Sequence, residues 1–237
     1  MENYNEFLDR INSFEKEELM MDDSAFVPNK SVPRKVRPDN RYSDFYGDTV
    51  VFELDENIKE RIDKLTEKLF EEVPECFSER LPKNTYHITL HDLYNSPDID
   101  KIANEMFFAE VNLIKLLKEN PIGVQKIKMK ATYVINMINT SVVLGFIPCD
   151  EAEFNKLSCL YEIMHKIRKL DRPLTPHVTL GYYNINGFSE DSVKSLKAAV
   201  RNLNRELSDF EIELSTEKLY YQKFISMKEY INIFSLG

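Results

Sequence analysis

The chain of 237 residues has no tryptophan, and only six glycines and three cysteines. Cys76, Cys149 and Cys159 are odd in number and scattered, which argues against a disulfide framework and leaves no pair at zinc-ligand spacing. They read as buried thiols of a reducing compartment. No apolar run approaches the roughly 18 residues that a membrane span needs. The start, Met1 to Glu6, lacks the basic and apolar regions of a signal peptide, so a cytoplasmic location is expected. Positive charge is in deficit: the net charge is −9. Gripping long nucleic acid takes many Lys and Arg contacts to phosphate, and no basic stripe supplies them. A small nucleotide or an RNA end in a locally positive cleft remains compatible. Scarce glycine also means no Gly-rich phosphate loop, no GxGxxG and no P-loop, the usual signatures of an ATP-consuming ligase.

What is present is a repeated pattern. Two of the four histidines lie in matching frames, Tyr86-His87-Ile88-Thr89-Leu90 and Pro176-His177-Val178-Thr179-Leu180, 90 positions apart (177 minus 87). Upstream of each lies an apolar segment, Thr49–Leu54 and Ser141–Phe146, 92 positions apart (141 minus 49). Each is followed by a helical stretch, about 55–70 and about 151–170. The order strand, helix, motif strand occurs twice, so the chain carries an internal duplication. A pseudo-two-fold axis between the copies would bring His87 and His177 together. Strand alternation places His87, Thr89 and His91 on one face, with Ile88 and Leu90 on the other. In the second copy it groups His177, Thr179 and Gly181 against Val178, Leu180 and Tyr182. The β-branched residues favour strands here.

These residues resemble the two His-x-Thr-x signatures of the 2H phosphoesterase superfamily, which includes 2'-5' RNA ligase-like proteins and cyclic nucleotide phosphodiesterases. The resemblance spans about Asp48 to Gly237 and keeps both signatures intact. It implies a bilobal α+β fold: a duplicated structure with two antiparallel sheets around a central cleft and helices outside. It also implies metal-independent hydrolase chemistry on 2',3'-cyclic phosphates or 2',5'-linked phosphodiesters, as in RNA processing, with no cofactor. His87 and His177 are then the catalytic acid–base pair, and Thr89 and Thr179 the phosphate ligands. The same site run in reverse would be an RNA-end 2'-5' ligase or a cyclase. A non-catalytic module holding a nucleotide or RNA terminus is the alternative from another class, although a pure binder needs no second proton-transfer group.

Further candidates for substrate contact surround the motifs. His91 shares the predicted face of His87. Tyr133, Tyr182 and Tyr183 could stack on a base. Lys83 and Arg172 precede the motifs in loops and offer positive charge. His165, within a predicted helix, reads as a surface residue. Residues 1–47 form an arm outside the resemblance, and residues 48–237 form the domain, with interleaved lobes of roughly 48–120 and 121–237. The arm starts with an amphipathic helix, about 5–21, carrying Phe7, Leu8, Ile11, Phe14 and Leu19 on one side, and this stripe needs a partner on the domain. Lys30, Arg34, Lys35, Arg37 and Arg41 crowd a Pro-containing stretch that reads first as a solvated linker and otherwise as a phosphate-attracting strap over the cleft. A helix over 97–120 is expected to bury Ile99, Ile102, Phe107, Val111 and Ile114.

Overall fold

The computed structural model describes residues 2–16, 21–22 and 24–237. Leu19 lies outside the described residues. Among the described residues eight strands form two four-stranded sheets in which every named pairing is antiparallel. The first sheet contains β1 (Tyr46–Glu53), β2 (His87–Ser96), β7 (Leu219–Ser226) and β8 (Glu229–Ser235), in the order β2-β1-β7-β8. The second contains β3 (Lys126–Met137), β4 (Ser141–Pro148), β5 (His177–Tyr182) and β6 (Glu211–Ser215), in the order β5-β4-β3-β6. The closing hairpin β7–β8 therefore returns to the first sheet. Helices α2 (Glu56–Glu72), α3 (Ala103–Glu119), α4 (Glu151–His165) and α5 (Glu190–Arg205) complete the domain. No described helix is long and apolar enough to cross a membrane.

The duplication is visible in the pairing register. Val51, Phe52 and Glu53 of β1 lie opposite Thr89, Ile88 and His87, while Val143, Leu144 and Gly145 of β4 lie opposite Thr179, Val178 and His177. The inner strands are offset by 92 (143 minus 51) and the motif strands by 90 (179 minus 89), matching the sequence spacing. Both motif strands are sheet edges, and β2 and β5 lie against one another where the lobes meet. Burial follows this plan: β4 is buried along its whole length and β1 over all but its ends.

Several local expectations change. Asp55, which as an Asp before the helical stretch is expected to cap α2, occupies its N-cap position, but its carboxylate pairs with Lys218 and makes no capping bond. Helix α3 starts at Ala103, after a separate turn at Ile99–Lys101, and buries Met106, Ala109 and Leu113. Of the residues expected to be buried here only Ile102 is; Ile99, Phe107, Val111 and Ile114 are exposed, so the expected apolar face of the helix is the outward one. Small Ala109 lets the other face approach the sheet, where the Met106 carbonyl meets the Tyr221 hydroxyl. Of the cysteines, only Cys76 is buried.

The arm packs on the domain. Helix α1 (Tyr4–Lys16) buries Phe7 and Ile11 against Ile147 and Phe154 of the second lobe. The Pro-containing stretch is not a solvated linker. Val32 and Val36 are fully buried, Val36 bridges to Tyr42, and Phe45 joins the core. Lys30, Arg34, Arg37 and Arg41 remain exposed, whereas Lys35 is half-buried.

Candidate active site

The two histidines are held in the same way. His87 Nδ1 lies 2.7 Å from the carbonyl oxygen of Thr85, and His177 Nδ1 lies 2.7 Å from that of Thr175. A carbonyl only accepts, so each Nδ1 carries the proton and donates it. In the neutral ring, Nε2 then holds the lone pair. The residue two positions before each His is thus a positioning element. The repeat extends beyond the His-x-Thr frames: Thr85-Tyr86-His87-Ile88-Thr89-Leu90 matches Thr175-Pro176-His177-Val178-Thr179-Leu180 at both outer threonines and at Leu. Aligning the two copies two residues further upstream is enough to find Thr85 and Thr175 in the sequence.

Charge on His177 disfavours charge on His87. Burial is the main reason that the His87 pKa is pushed down to about 4; the Thr85 carbonyl opposes this, and His177 and Lys59 lower it further. The His177 pKa is also lowered, first by burial and then by Arg172 and Lys35, against the Thr175 carbonyl. Both rings are therefore neutral near pH 7. Thr89 and Thr179 come next on the same strand faces, half-buried, and neither hydroxyl bonds another described residue.

Past each Thr the alternation breaks. Val51 pairs with Thr89 but Val50 pairs with His91, so Leu90 is an extra residue; Val143 pairs with Thr179 but Val142 pairs with Gly181, so Leu180 is its equivalent. A β-bulge at the same place in both copies inverts the faces of the residues beyond it. His91 consequently leaves the face of His87. It is 1% exposed and packs on Tyr161 and His165 of α4. Among the described residues neither of its ring nitrogens has a hydrogen-bond partner, and neither does the buried Nε2 of His165, a residue that is half-buried rather than fully at the surface. In the second copy the inversion turns Tyr182 toward the cleft, where it meets Tyr42 and Lys35.

The remaining candidates divide. Tyr133 lines a pocket beside His177 together with Ile11, Phe14 and Thr132. Arg172 pairs with Asp92 and acts electrostatically on His177. Lys83 is engaged by Glu56 and Glu60 of α2, and Tyr183 is fully buried between Phe26 and Phe77. Three further neighbours of the histidines are not evident from the sequence. Lys59 is 3% exposed, pairs with Glu53 and Glu56, and acts on His87. The Tyr230 ring meets the His87 ring edge-on at 4.9 Å. Arg10 of α1 donates to Thr175 Oγ1 at 3.0 Å and to the Leu174 carbonyl at 2.7 Å, bracing the second motif. Among the described residues no cluster of three or more His, Cys, Asp or Glu could hold a metal.

Buried His91 predicts acid lability. Burial, with His165, Arg168 and Arg172 adding to it, pushes its pKa down to about 3. The unfolded imidazole binds a proton near pH 6.5 and the folded one does not, so its contribution to stability is intact above about 6.5 and declines as pH falls toward the folded value. The expected loss is on the order of 1 kcal/mol per pH unit across that window. Replacing His91 by Phe should flatten the fall in Tm between about pH 7 and pH 5. An unchanged pH dependence in H91F would refute this account.

No family model matches the chain, and no curated protein matches it. Solved structures do. A conserved protein of unknown function from Agrobacterium tumefaciens str. C58, ATU0111, superposes with a TM-score of 0.69 at 13% identity, over 90% of this chain and 94% of that one. LigT of E. coli in complex with 3'-AMP gives a TM-score of 0.49 at 15% identity, over 81% of this chain and 99% of that one. TT0787 of Thermus thermophilus gives 0.47 at 13% identity, over 80% and 97%. What the ATU0111 likeness establishes is a shared α+β fold, here a duplicated arrangement of two antiparallel sheets that meet along the His-x-Thr strands.

Proposed function

We propose that the chain is a phosphoesterase of the 2H type that hydrolyses 2',3'-cyclic or 2',5'-linked ribonucleotide phosphodiesters, with His87 and His177 as its acid–base pair. One observation carries the reading: each imidazole donates Nδ1–H to the carbonyl two residues before it, and the two rings lie within electrostatic reach of one another. Such an arrangement suits two proton transfers at one phosphate. A neutral Nε2 takes the proton from water as its oxygen attacks phosphorus. The opposite Nε2, protonated, gives its proton to the departing ribose oxygen as the P–O bond breaks. Thr89 and Thr179 donate to the non-bridging oxygens. A small nucleotide or an RNA end is the substrate, and the chemistry calls for no metal.

The lowered pKa values give the reaction a pH signature. In the free enzyme both rings resist protonation, so the limbs of kcat/KM lie on the acid side of 6.5, the usual imidazole value. A bound phosphate anion favours the imidazolium and moves the kcat limbs to higher pH. The test is a panel of 2',3'-cyclic nucleotides and 2',5'-linked dinucleotides assayed with EDTA across pH. Bell-shaped turnover that survives chelation is expected. Activity abolished by EDTA and restored by a divalent ion would rule out the two-histidine mechanism. Ligand binding without turnover would leave a binding module.

A further inference from the structure

The N-terminal segment places a cation at the cleft. Lys35 lies between a turn (Val32–Arg34) and the Val36–Tyr42 bridge, with Val32 and Val36 buried on either side, so its backbone is anchored to the domain. Its ammonium sits 4.9 Å from the centre of the Tyr182 ring and 5.3 Å from that of Phe45. It donates to Tyr182 Oη at 3.3 Å, and that hydroxyl in turn donates to Met227 Sδ at 3.1 Å. Its positive charge reaches His177.

Several neighbouring cations are neutralised, whereas Arg34, exposed and 5.3 Å from the centre of the same Phe45 ring, has no ion pair among the described residues. Lys59 has Glu53 and Glu56, Lys83 has Glu56 and Glu60, Arg172 has Asp92, and Lys228 has Glu79. Lys35 is half-buried and has no carboxylate in ion-pair range among the described residues. A partly desolvated charge without a counterion is unfavourable, and the aromatic rings compensate for only part of it. An ammonium carries three donors, of which the phenol takes one. The other two have no acceptor among the described residues. In a chain of net charge −9, this is a local positive focus on the His177 side.

We infer that Lys35 is a phosphate-binding residue of the cleft, its ammonium holding non-bridging oxygens of the substrate on the His177 side. The inference rests on the phosphoesterase reading and adds to it: residues 1–47 become part of the substrate site, supplying Lys35 directly and bracing the Thr175 loop through Arg10. The role is binding and positioning, since Lys35 moves no proton in the reaction.

The substitutions are Lys35→Met, which keeps the stem between Phe45 and Tyr182 and removes the charge, and Lys35→Arg, which restores it. Inorganic phosphate is the probe, followed through the imidazole NMR signals of the full chain. Steady-state kinetics on a 2',3'-cyclic nucleotide and a Tm accompany it. K35M should bind phosphate about tenfold or more weakly and raise KM to match, with kcat within about threefold of wild type. It should depend less on salt. Loss of a nearby cation should also shift the His177 titration to higher pH, which a purely structural role for Lys35 would not do. K35R should recover most of the affinity. Phosphate affinity and KM unchanged in K35M, even with a lower Tm, would overturn the inference and leave the phosphoesterase reading intact. Phosphate affinity lost in K35M, in a protein that turns over none of the panel, would sustain the anion site and remove the phosphoesterase reading. A wild-type protein that binds no phosphate would overturn the inference outright.

Discussion

His87→Ala and His177→Ala should each lower kcat/KM by roughly 10²–10⁴-fold, the span expected for one general acid or base. Each substitution removes one proton-transfer group and leaves the other held by its own carbonyl, since Thr85 and Thr175 act on separate strands. The double variant should lose less than the product of the single losses, because one transfer without the other leaves the reaction half assisted. Gln at either position is the sharper comparison. It can retain a hydrogen bond to the carbonyl but takes up no proton, so the full loss should persist. His165→Ala is the control: that ring, at the C-terminal end of α4, lies beside His91, and the rate should stay near wild type. Near-wild-type turnover in both H87A and H177A would remove the acid–base assignment.

The parts of the site that are readable from sequence are those set by strand pairing. The separation of 92 between the inner strands and 90 between the motifs reappears in the register, because pairing along one strand edge ties Glu53 to His87 and Gly145 to His177. The hidden parts come from backbone geometry and long-range packing. Alternation gives the right faces for Thr89 and Thr179 and the wrong ones for His91 and Tyr182, since a bulge at Leu90 and at Leu180 adds a residue that no local propensity announces. The buried face of α3 is hard to read for a similar reason. Its two apolar faces are comparable, and packing on the first sheet, chiefly β2, selects the one carrying Ala109. Lys59 and Tyr230 come from α2 and β8, far from either motif in sequence, and only the fold brings them to His87. Lys35 has a signal, the basic Pro-containing stretch, but its composition fits an exposed linker better. Buried Val32 and Val36 exclude the linker.

The second large effect should fall on the threonines. Thr89→Val and Thr179→Val are each expected to lower kcat by about 10²-fold, within the range seen when one donor to a developing oxyanion is removed. Valine is β-branched and close in shape, so strand geometry and the bulge beyond it should persist. What is lost is a hydroxyl that makes no bond to another described residue and is therefore available to a ligand. Negative charge on the non-bridging oxygens redistributes as water adds to phosphorus, so the donor contributes more in the transition state than in the ground state. That difference appears in kcat with KM little changed. Thr→Ser at either position keeps the hydroxyl and should recover most of the rate. The opposite pattern, KM raised at constant kcat, would mean that Thr89 and Thr179 hold the substrate equally in both states and that stabilisation of the transition state comes from elsewhere in the cleft, with Lys35 and the imidazolium as the remaining donors.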